Sequence, residues 1–246
     1  MTIPPEIFVK KVFDSYEKNK GVFAKKVNAE EMTPQKATKS QKALWLFYVI
    51  QLDYATKSQR LYEGAKKLWG ENNIFFTPRY ISKLADTELE GILREYLKPR
   101  YIKEATKRYK INSELLLKNY KGNPTNIFTS SLTASEALKK VRKFRGFGPK
   151  IGNFFVRTMI NTFKYSYTDI EELLPPVDIW DVRIAYFMGY TQSKEMTQNN
   201  INKVKKVWNT ACKDAGVSWL TFDKALWLLG SEGKPSNKNE ILELLK

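Results

Sequence analysis

The side chains that could do chemistry in this chain are lysine, aspartate, glutamate, tyrosine and serine, because the 246 residues include no histidine and only one cysteine, Cys212. Structural zinc sites and iron–sulfur clusters need several cysteine or histidine ligands, so neither is expected. Triads and general bases that use histidine are excluded as well. A disulfide cannot form within the chain, so catalysis must depend on an amine, a carboxylate, a hydroxyl group or a backbone site.

A glycine-containing hairpin could bind a phosphate group. Apolar residues at helical spacing precede Gly146-Phe147-Gly148, and a second helix is predicted to begin at Pro149. Glycine permits positive φ and a close approach of the backbone. Proline is suited to a first helical position because its missing N–H needs no partner there. The first amide groups of such a helix point outward, and they attract a phosphate oxygen.

Positive charge is concentrated around this hairpin. The basic residues are Lys139, Lys140, Arg142, Lys143, Arg145 and Lys150. The alternative is a plain helical hairpin closed by a glycine, and a G-x-G pattern alone does not separate the two interpretations. The helical spacing, the proline and the basic residues together favour DNA binding.

The whole chain is basic, with 42 Lys and Arg residues against 26 Asp and Glu residues and a formal net charge of +16. Such a charge on a folded domain favours a polyanionic partner, nucleic acid first and an anionic membrane surface second. No apolar run approaches the roughly 18 residues that a membrane span needs. The N-terminal residues lack the apolar core of a signal peptide, so a cytoplasmic protein associated with the nucleoid is expected.

Helices are predicted along most of the chain and strand signals are weak, so the predicted fold class is mainly α. The longest apolar run, residues 43–50, is predicted to be a buried helix segment. Asp86 is predicted to cap a helix start, and Gly70 to end a helix. The predicted helical segments are residues 7–19, 35–54, 59–69, 86–97, 102–110, 113–120, 133–144, 151–163, 178–190, 200–215 and 222–229.

Two segments resemble motifs of the HhH-GPD superfamily of DNA glycosylases. Residues 144–157, FRGFGPKIGNFFVR, resemble its helix-hairpin-helix, and residues 176–183, PVDIWDVR, resemble its V-D-x-H-x-x-R segment. Residues 49–56 are more loosely similar to its early L-S-x-Q-T junction. The motifs stand in the family's order, and the similarity covers about residues 34–190. The four cysteines of the iron–sulfur branch are absent, which leaves the 8-oxoguanine glycosylase types. Among these, the long interval between Lys150 and Asp178 and the length of the helical chain most resemble the archaeal 8-oxoguanine DNA glycosylases.

The resemblance implies catalytic roles for Lys150 and Asp178. In the bifunctional branch of the superfamily, the lysine displaces the damaged base and forms a Schiff base, which permits β-elimination and strand cleavage. The matching aspartate is essential there, and a carboxylate fixed at a helix start can stabilise a cationic sugar. The alternatives are a phosphate contact for Lys150 and an N-cap role for Asp178, the latter compatible with catalysis.

Three positions depart from the family pattern. Arg145 stands in place of a proline, Gly152 in place of an alanine and Trp180 in place of a histidine. Glycine at position 152 keeps the close contact between helices. The interval between Lys150 and Asp178 is longer than is usual in the family, which predicts an inserted turn or helix at residues 162–174.

The resemblance also predicts a two-lobed helical architecture with an active-site cleft between the lobes. Residues 35–162 would form a barrel lobe that carries the hairpin, and residues 1–34 with 163–246 would form the second lobe. The cleft would receive a flipped-out base. Candidates for contacting that base are Gln51, Phe222 and Trp227, with Asp223 beside them, although Phe222 and Trp227 could equally be core residues.

The predicted function is that of a bifunctional DNA glycosylase and AP lyase of base excision repair that removes an oxidised purine, with 8-oxoguanine as the first candidate. The expected partner is double-stranded DNA with a damaged base, bound by a monomer. The predicted DNA contacts are Arg145, Gly146, Phe147, Gly148, Lys150 and Gly152. No cofactor is expected, although the hairpin is compatible with a monovalent cation. A monofunctional glycosylase for another damaged base and a non-catalytic helix-hairpin-helix protein remain as alternatives.

Overall fold

The computed structural model describes residues 3–25, 27–54, 56–173 and 176–246. Within these ranges the chain forms α-helices and no β-strand, which confirms the predicted mainly α class, and no helix there is long and apolar enough to span a bilayer. A π-helical turn at Leu93–Leu97 follows α5, and 3-10 turns lie at Gly21–Phe23, Asn73–Phe76 and Ile170–Glu172. The helices are α1 (Pro5–Glu17), α2 (Lys39–Ile50), α3 (Ser58–Glu71), α4 (Pro78–Lys83), α5 (Asp86–Ile92), α6 (Ile102–Tyr120), α7 (Thr125–Thr129), α8 (Ala134–Val141), α9 (Pro149–Phe163), α10 (Ile179–Phe187), α11 (Gln198–Ala215), α12 (Trp219–Ser231) and α13 (Lys238–Glu243).

The described residues divide into two compact units. The central unit, Ala29–Glu172, contains α2 to α9, and the terminal unit, Met1–Asn28 with Leu173–Lys246, contains α1 and α10 to α13. The division that the sequence predicts, at residues 34/35 and 162/163, gives a smaller central part. The structure extends that part in both directions.

Helix α2 runs through the core of the central unit. Every residue from Ala43 to Ile50 is buried, as expected for an apolar run too dense for a surface helix. The helix begins later than predicted, because Thr38 is its N-cap. The side chain of Gln41 accepts a hydrogen bond from the Thr38 N–H and the Thr38 hydroxyl accepts one from the Gln41 N–H, which forms a capping box.

A cluster of phenylalanine rings joins α2 to the hairpin and to α9. The Phe47 ring lies 5.1 Å from that of Phe144, 5.2 Å from that of Phe147 and 5.8 Å from that of Phe155, measured between centroids. Each such aromatic pair contributes about 0.5–1.5 kcal/mol beyond the area it buries. The hairpin is therefore anchored in the core on its apolar side.

Helix α6 is continuous where the sequence predicts a break between residues 110 and 113. Asparagine and serine disfavour helix interiors because their side chains compete for backbone groups, but Asn112 and Ser113 are buried here with their polar atoms hydrogen bonded. The Ser113 hydroxyl donates to the Tyr109 carbonyl at 2.6 Å and lies 2.7 Å from the Tyr48 hydroxyl. Tertiary hydrogen bonds thus outweigh local preference.

Two residues that the sequence assigns to helix ends have other roles. Helix α3 continues past Gly70 to Glu71 and has Asn72 as its C-cap. Asp86 is the first residue of α5 and not its cap, and its carboxylate lies 3.7 Å from the Lys110 amine. An acidic residue in the first turn still interacts favourably with the helix dipole. Helices α4, α7 and α13 were not predicted, since their five or six residues are too few to show a period.

The segment predicted as an insertion, residues 162–174, stabilises the start of α8 through hydrogen bonds. The Asp169 carboxylate accepts hydrogen bonds from the N–H groups of Ala134 and Ser135 at 2.6 and 2.9 Å. The Tyr167 hydroxyl donates to the Phe128 carbonyl at 2.8 Å. The final residue of this segment, at position 174, lies outside the described residues.

Candidate active site

The candidate phosphate-binding hairpin joins α8 to α9. Helix α9 begins at Pro149 with Gly148 as its N-cap, as the sequence predicts. Gly146 has a φ of +86°, which favours glycine, whereas Gly148 has a φ of −69°. A Cβ atom at Gly148 would meet nothing within 4 Å. The N-terminus of α9 is thus accessible to a ligand beside Gly148.

Asn112 of α6 holds the backbone of the hairpin. Its Oδ1 accepts a hydrogen bond from the Arg145 N–H at 2.8 Å, and its Nδ2 donates to the Arg145 carbonyl at 2.9 Å. The same Nδ2 donates to Gln51 Oε1 at 2.9 Å. The sequence reasoning missed Asn112 because a buried asparagine 33 residues before the hairpin leaves no local signal.

Arg145 forms a second link between the hairpin and α6. Its Nε and Nη2 donate to the two carboxylate oxygens of Glu104 at 2.9 and 2.8 Å, and Arg108 Nε donates to Glu104 at 3.0 Å. Hydrogen bonds from Arg145 and then from Arg108 lower the pKa of Glu104 to about 2. Burial acts in the opposite direction, but its effect on this pKa is outweighed. The Arg145 side chain is 46% exposed, so it both braces the hairpin and faces solvent.

Phe147 and Gly152, two of the predicted DNA contacts, have packing roles. The Phe147 side chain is buried and stacks on Phe47, so its ring points into the core and not toward a ligand. A Cβ atom at Gly152 would lie 3.1 Å from the Phe147 carbonyl oxygen. Gly152 therefore lets the first turn of α9 lie close to the hairpin backbone.

Lys150 is the second residue of α9, and its side chain is exposed. The hydrogen bond from the Gly152 N–H to the Gly148 carbonyl, at 2.7 Å, closes the first turn of the helix around it. The lysine thus follows directly on the backbone groups that the hairpin presents. It belongs to the central unit.

Asp178 is the N-cap of α10 in the terminal unit, as predicted. Its carboxylate accepts hydrogen bonds from the N–H groups of Trp180 and Asp181 at 2.8 and 3.3 Å. The Asp181 carboxylate accepts one from the Asp178 N–H at 2.5 Å, which completes a capping box. Asp178 is 8% exposed, so its carboxylate is held in one orientation near the surface.

Two further carboxylates, Asp181 and Asp223, lie close enough to act on this site. Burial raises the pKa of Asp181 well above its usual range, and the negative charges of Asp178 and Asp223 raise it further. Asp181 was missed, although the D-x-x-D spacing from Asp178 is that of a capping box. Within the described ranges, no group of acidic, histidine or cysteine side chains is arranged to hold a metal ion.

Trp180, which departs from the family pattern, packs against α12. A Cβ atom at Gly230 would lie 2.4 and 2.5 Å from Trp180 Cβ and Cγ, so the indole occupies the space that the missing side chain leaves. The Arg183 guanidinium lies 5.1 Å from the centre of the Trp180 ring. Gly230 and Trp180 together fix the start of α10, where Asp178 lies.

The structure gives two of the predicted base contacts a role in the core. Gln51 is fully buried, its Nε2 donates to the Phe47 carbonyl at 3.2 Å, and its Oε1 accepts from Asn112, so its amide is already paired. Phe222 is buried with its ring 5.4 Å from that of Trp208. Trp227 is only partly buried, and its contact with a base stays a prediction.

The fold of the chain is similar to that of a solved DNA-repair enzyme. The 8-oxoguanine DNA glycosylase from Pyrobaculum aerophilum, whose crystal structure contains 8-oxoguanosine, matches with a TM-score of 0.60 and 15% sequence identity over 98% of this chain and 96% of that one. No protein-family model matches the chain, and no curated protein sequence does. The likeness confirms the resemblance at the level of the fold: the chain has the all-helical fold of an archaeal 8-oxoguanine DNA glycosylase.

Proposed function

We propose that this protein is a DNA glycosylase of base excision repair that removes an oxidised purine, with 8-oxoguanine as the first candidate. The observation that carries the proposal is the similarity of fold to an 8-oxoguanine DNA glycosylase along 98% of the chain. The accessible helix start beside Gly148 and the exposed Lys150 support it in the central unit. The oriented carboxylate of Asp178 supports it in the terminal unit.

Substrate binding begins at the hairpin in this proposal. The first amide groups of α9 bind a phosphate of the damaged strand, and the basic residues around them neutralise neighbouring phosphates. The damaged nucleotide leaves the base stack before reaction. This step costs a few kcal/mol and is easiest at a damaged or mismatched pair, so it supplies part of the selectivity.

Lys150 supplies the nucleophile. Its neutral amine forms a bond to C1′ of the sugar as the glycosidic bond breaks, and the base departs with the bonding electrons and takes up a proton. The amine loses a proton, and opening of the sugar ring with protonation of O4′ gives a protonated Schiff base. Loss of a proton from C2′ then expels the 3′ phosphate and cleaves the strand.

Asp178 stabilises the positive charge that develops on the sugar as the base leaves. Its carboxylate is already oriented by the Trp180 and Asp181 amides, so little reorganisation is needed during the reaction. The proposal requires Lys150 and Asp178 to reach the same sugar. It also assigns the reaction to a monomer without iron–sulfur or zinc.

Borohydride trapping tests the nucleophile. Wild-type protein should form a covalent adduct with duplex DNA containing 8-oxoguanine, and Lys150→Gln should form none. Lys140→Gln is the matched control and should keep the adduct, because the Lys140 amine is occupied by Glu136 at 2.9 Å and by the Ser130 carbonyl at 2.6 Å. Asp178→Asn should bind the duplex but release base at least about 100-fold more slowly.

The same duplexes separate the remaining outcomes. An undiminished adduct with Lys150→Gln would reject Lys150 as the nucleophile. Base release without adduct or strand cleavage would identify a monofunctional glycosylase. Equal affinity for damaged and intact duplex with no base release would reject the enzyme altogether and leave a helix-hairpin-helix DNA-binding protein.

A further inference from the structure

The start of α10 holds two carboxyl groups, those of Asp178 and Asp181, and we call them the acid pair. They are the N-cap residue and the third helical residue of a capping box in the terminal unit. In the usual capping box a hydroxyl group at the N-cap is matched with a carboxyl group or an amide three residues later. Here both positions hold a carboxyl group, so the box brings two acids together.

The acid pair lies in largely buried surroundings. The Asp178 and Asp181 side chains are both buried, and Trp208 of α11 donates its indole N–H to the Asp181 carbonyl at 3.4 Å. Two neighbouring negative charges with little water around them repel strongly. Carboxyl groups in such an arrangement share one proton and do not both ionise at neutral pH. The acid pair is therefore expected to carry one proton and one negative charge.

The hydrogen bonds of the acid pair indicate which residue holds the proton. The Asp178 carboxylate accepts from the N–H groups of Trp180 and Asp181 at 2.8 and 3.3 Å, and both donors stabilise negative charge there. The Asp181 carboxyl group accepts from the Asp178 N–H at 2.5 Å and also hydrogen bonds to the Asp178 side chain. A hydrogen bond between two carboxyl groups requires a proton on one of them. Asp181 is the more deeply buried of the two, so the neutral form belongs there.

The helices packed against α10 agree with a proton on Asp181. Burial raises the pKa of Asp181 most, the negative charge of Asp178 raises it next, and that of Asp223 on α12 raises it further. The other acids of the helices packed against α10 are exposed: Asp214 on α11, and Glu240 and Glu243 on α13. Two cations of α10 and α12 lie over aromatic rings, Arg183 over Trp180 and Lys224 over Tyr16.

We infer that Asp181 holds the proton of the acid pair and donates it in a hydrogen bond to the Asp178 carboxylate, which leaves the single negative charge on Asp178. Asp181 is then a positioning residue, because it acts through Asp178. The inference rests on the proposed function, since Asp178 stabilises positive charge on the sugar only while it is ionised. As the base leaves, the proton stays on Asp181 and the charge stays on Asp178.

Infrared spectroscopy of the protein without DNA tests where the proton lies. A protonated carboxyl group and a carboxylate absorb at different C=O stretching frequencies. At about pH 7.5, the difference spectrum between wild type and Asp181→Asn should contain one carboxylic-acid band. In Asp178→Asn the same band should titrate at lower pH, because the neighbouring negative charge is gone. Asp214→Asn alters an exposed aspartate of the same unit and should leave the band in place.

Single-turnover base release tests what the proton does. Asp181→Leu has nearly the same shape but no donor, and it should release base about 10- to 100-fold more slowly, as expected for losing a hydrogen bond to a charged group. Asp181→Asn keeps a neutral donor and an acceptor for the Asp178 N–H, so its rate should stay close to that of wild type. Both variants should bind intact duplex as wild type does, because the hairpin belongs to the central unit.

Three results would overturn the inference. They are a wild-type spectrum without the carboxylic-acid band, an Asp181→Leu protein that releases base as fast as wild type, and an Asp181→Asn protein as slow as Asp181→Leu. The spectrum is decisive even if the leucine variant fails to fold, because it needs only wild type and the asparagine variants.

The spectrum also separates this inference from the proposed function. A carboxylic-acid band that depends on Asp181 and shifts in Asp178→Asn, together with no base release from any damaged duplex, would keep the shared proton and reject the glycosylase. Base release by a wild type that lacks the band would reject the shared proton and keep the enzyme.

Discussion

The terminal unit contains three largely buried acidic side chains, those of Asp178, Asp181 and Asp223. They are 8%, 4% and 5% exposed. The ionised form of Asp181 is unfavourable in the folded protein, because burial and then the negative charges of Asp178 and Asp223 raise its pKa. Because the pKa of Asp181 is raised in the folded protein, this carboxyl group contributes stability that is fully present below its pKa in the unfolded chain, about 3.9. That stability is lost as the pH rises through the pKa of Asp181 in the folded protein.

Asp181→Asn should therefore stabilise the protein at neutral pH. The amide oxygen can still accept the Asp178 N–H, and the amide nitrogen can donate to the neighbouring carboxylates. We expect a gain of about 1 kcal/mol at pH 7.5, or roughly 2–4 °C in melting temperature at this chain length, and no gain below about pH 4. Thermal melting across this pH range measures both.

The exposed Asp214 on α11 provides the control for this prediction. Asp214→Asn should change the stability by less than about 0.5 kcal/mol, as surface substitutions usually do. A destabilised Asp181→Asn protein at neutral pH would show that the carboxylate interacts more favourably with its surroundings than burial among acids allows.

At the scale of single residues, the sequence predicts hydrogen bonds between neighbours in the chain but not which side chains are buried together. Asp178 could be predicted as an N-cap because the residue and its amide donors are adjacent in the chain. Gln51 was a candidate for contacting the base, whereas in the structure its side-chain oxygen accepts a hydrogen bond from Asn112, 61 residues away. Partners at such distances leave no local pattern, so Asn112 itself was missed.

At the scale of elements, α10 and α12 show how a glycine positions a candidate catalytic residue. Gly230 leaves room for Trp180, and Trp180 donates its N–H to the Asp178 carboxylate. The sequence marked Trp180 as a departure from the family pattern without explaining it. The explanation lies 50 residues further along, at a glycine inside a helix, where only packing requires it.

Gly230→Ala should disturb the start of α10. Its Cβ would lie 2.4 Å from Trp180 Cβ, so one helix must move, at a cost of about 1–3 kcal/mol in stability. We expect slower base release with little change in DNA affinity, since Asp178 shifts while the hairpin belongs to the other unit. Chemical denaturation and single-turnover base release are the measurements.

Gly70→Ala is the matched control, because a Cβ at this helical glycine would meet nothing within 4 Å. That substitution should stabilise the protein by about 0.5–1 kcal/mol and leave base release unchanged. If both variants were equally stable and active, the packing of Trp180 on Gly230 would have no part in placing Asp178.

The long helices were predictable because their apolar periods extend over several turns, as in α9 and α11. The first and last residues of these helices were less predictable. Helix α2 begins after its N-cap Thr38 and not at residue 35, and buried hydrogen bonds carry α6 across Asn112 and Ser113. The start of α2 is set by a local capping box, whereas the continuity of α6 depends on contacts between elements, which local preference does not include.

At the scale of the whole molecule, the net charge of +16 makes nonspecific attraction to DNA strong, and the question is how much of it the hairpin supplies. Lys140 and Lys143 lie in the same hairpin region but differ in their surroundings. The Lys140 amine is bound by Glu136 and the Ser130 carbonyl, whereas the Lys143 side chain is exposed. Either substitution removes the same formal charge from the molecule.

Lys143→Gln should reduce the salt dependence of DNA binding, and Lys140→Gln should not. Each phosphate contact contributes about 0.9 to the slope of log K against log salt concentration, so losing one makes the slope about 0.9 shallower. Fluorescence anisotropy with an intact duplex between 50 and 200 mM salt measures the slopes. Because both variants carry the same net charge, parallel slopes for them would mean that DNA responds to the charge of the whole molecule, and a difference would locate the phosphate contact at the hairpin.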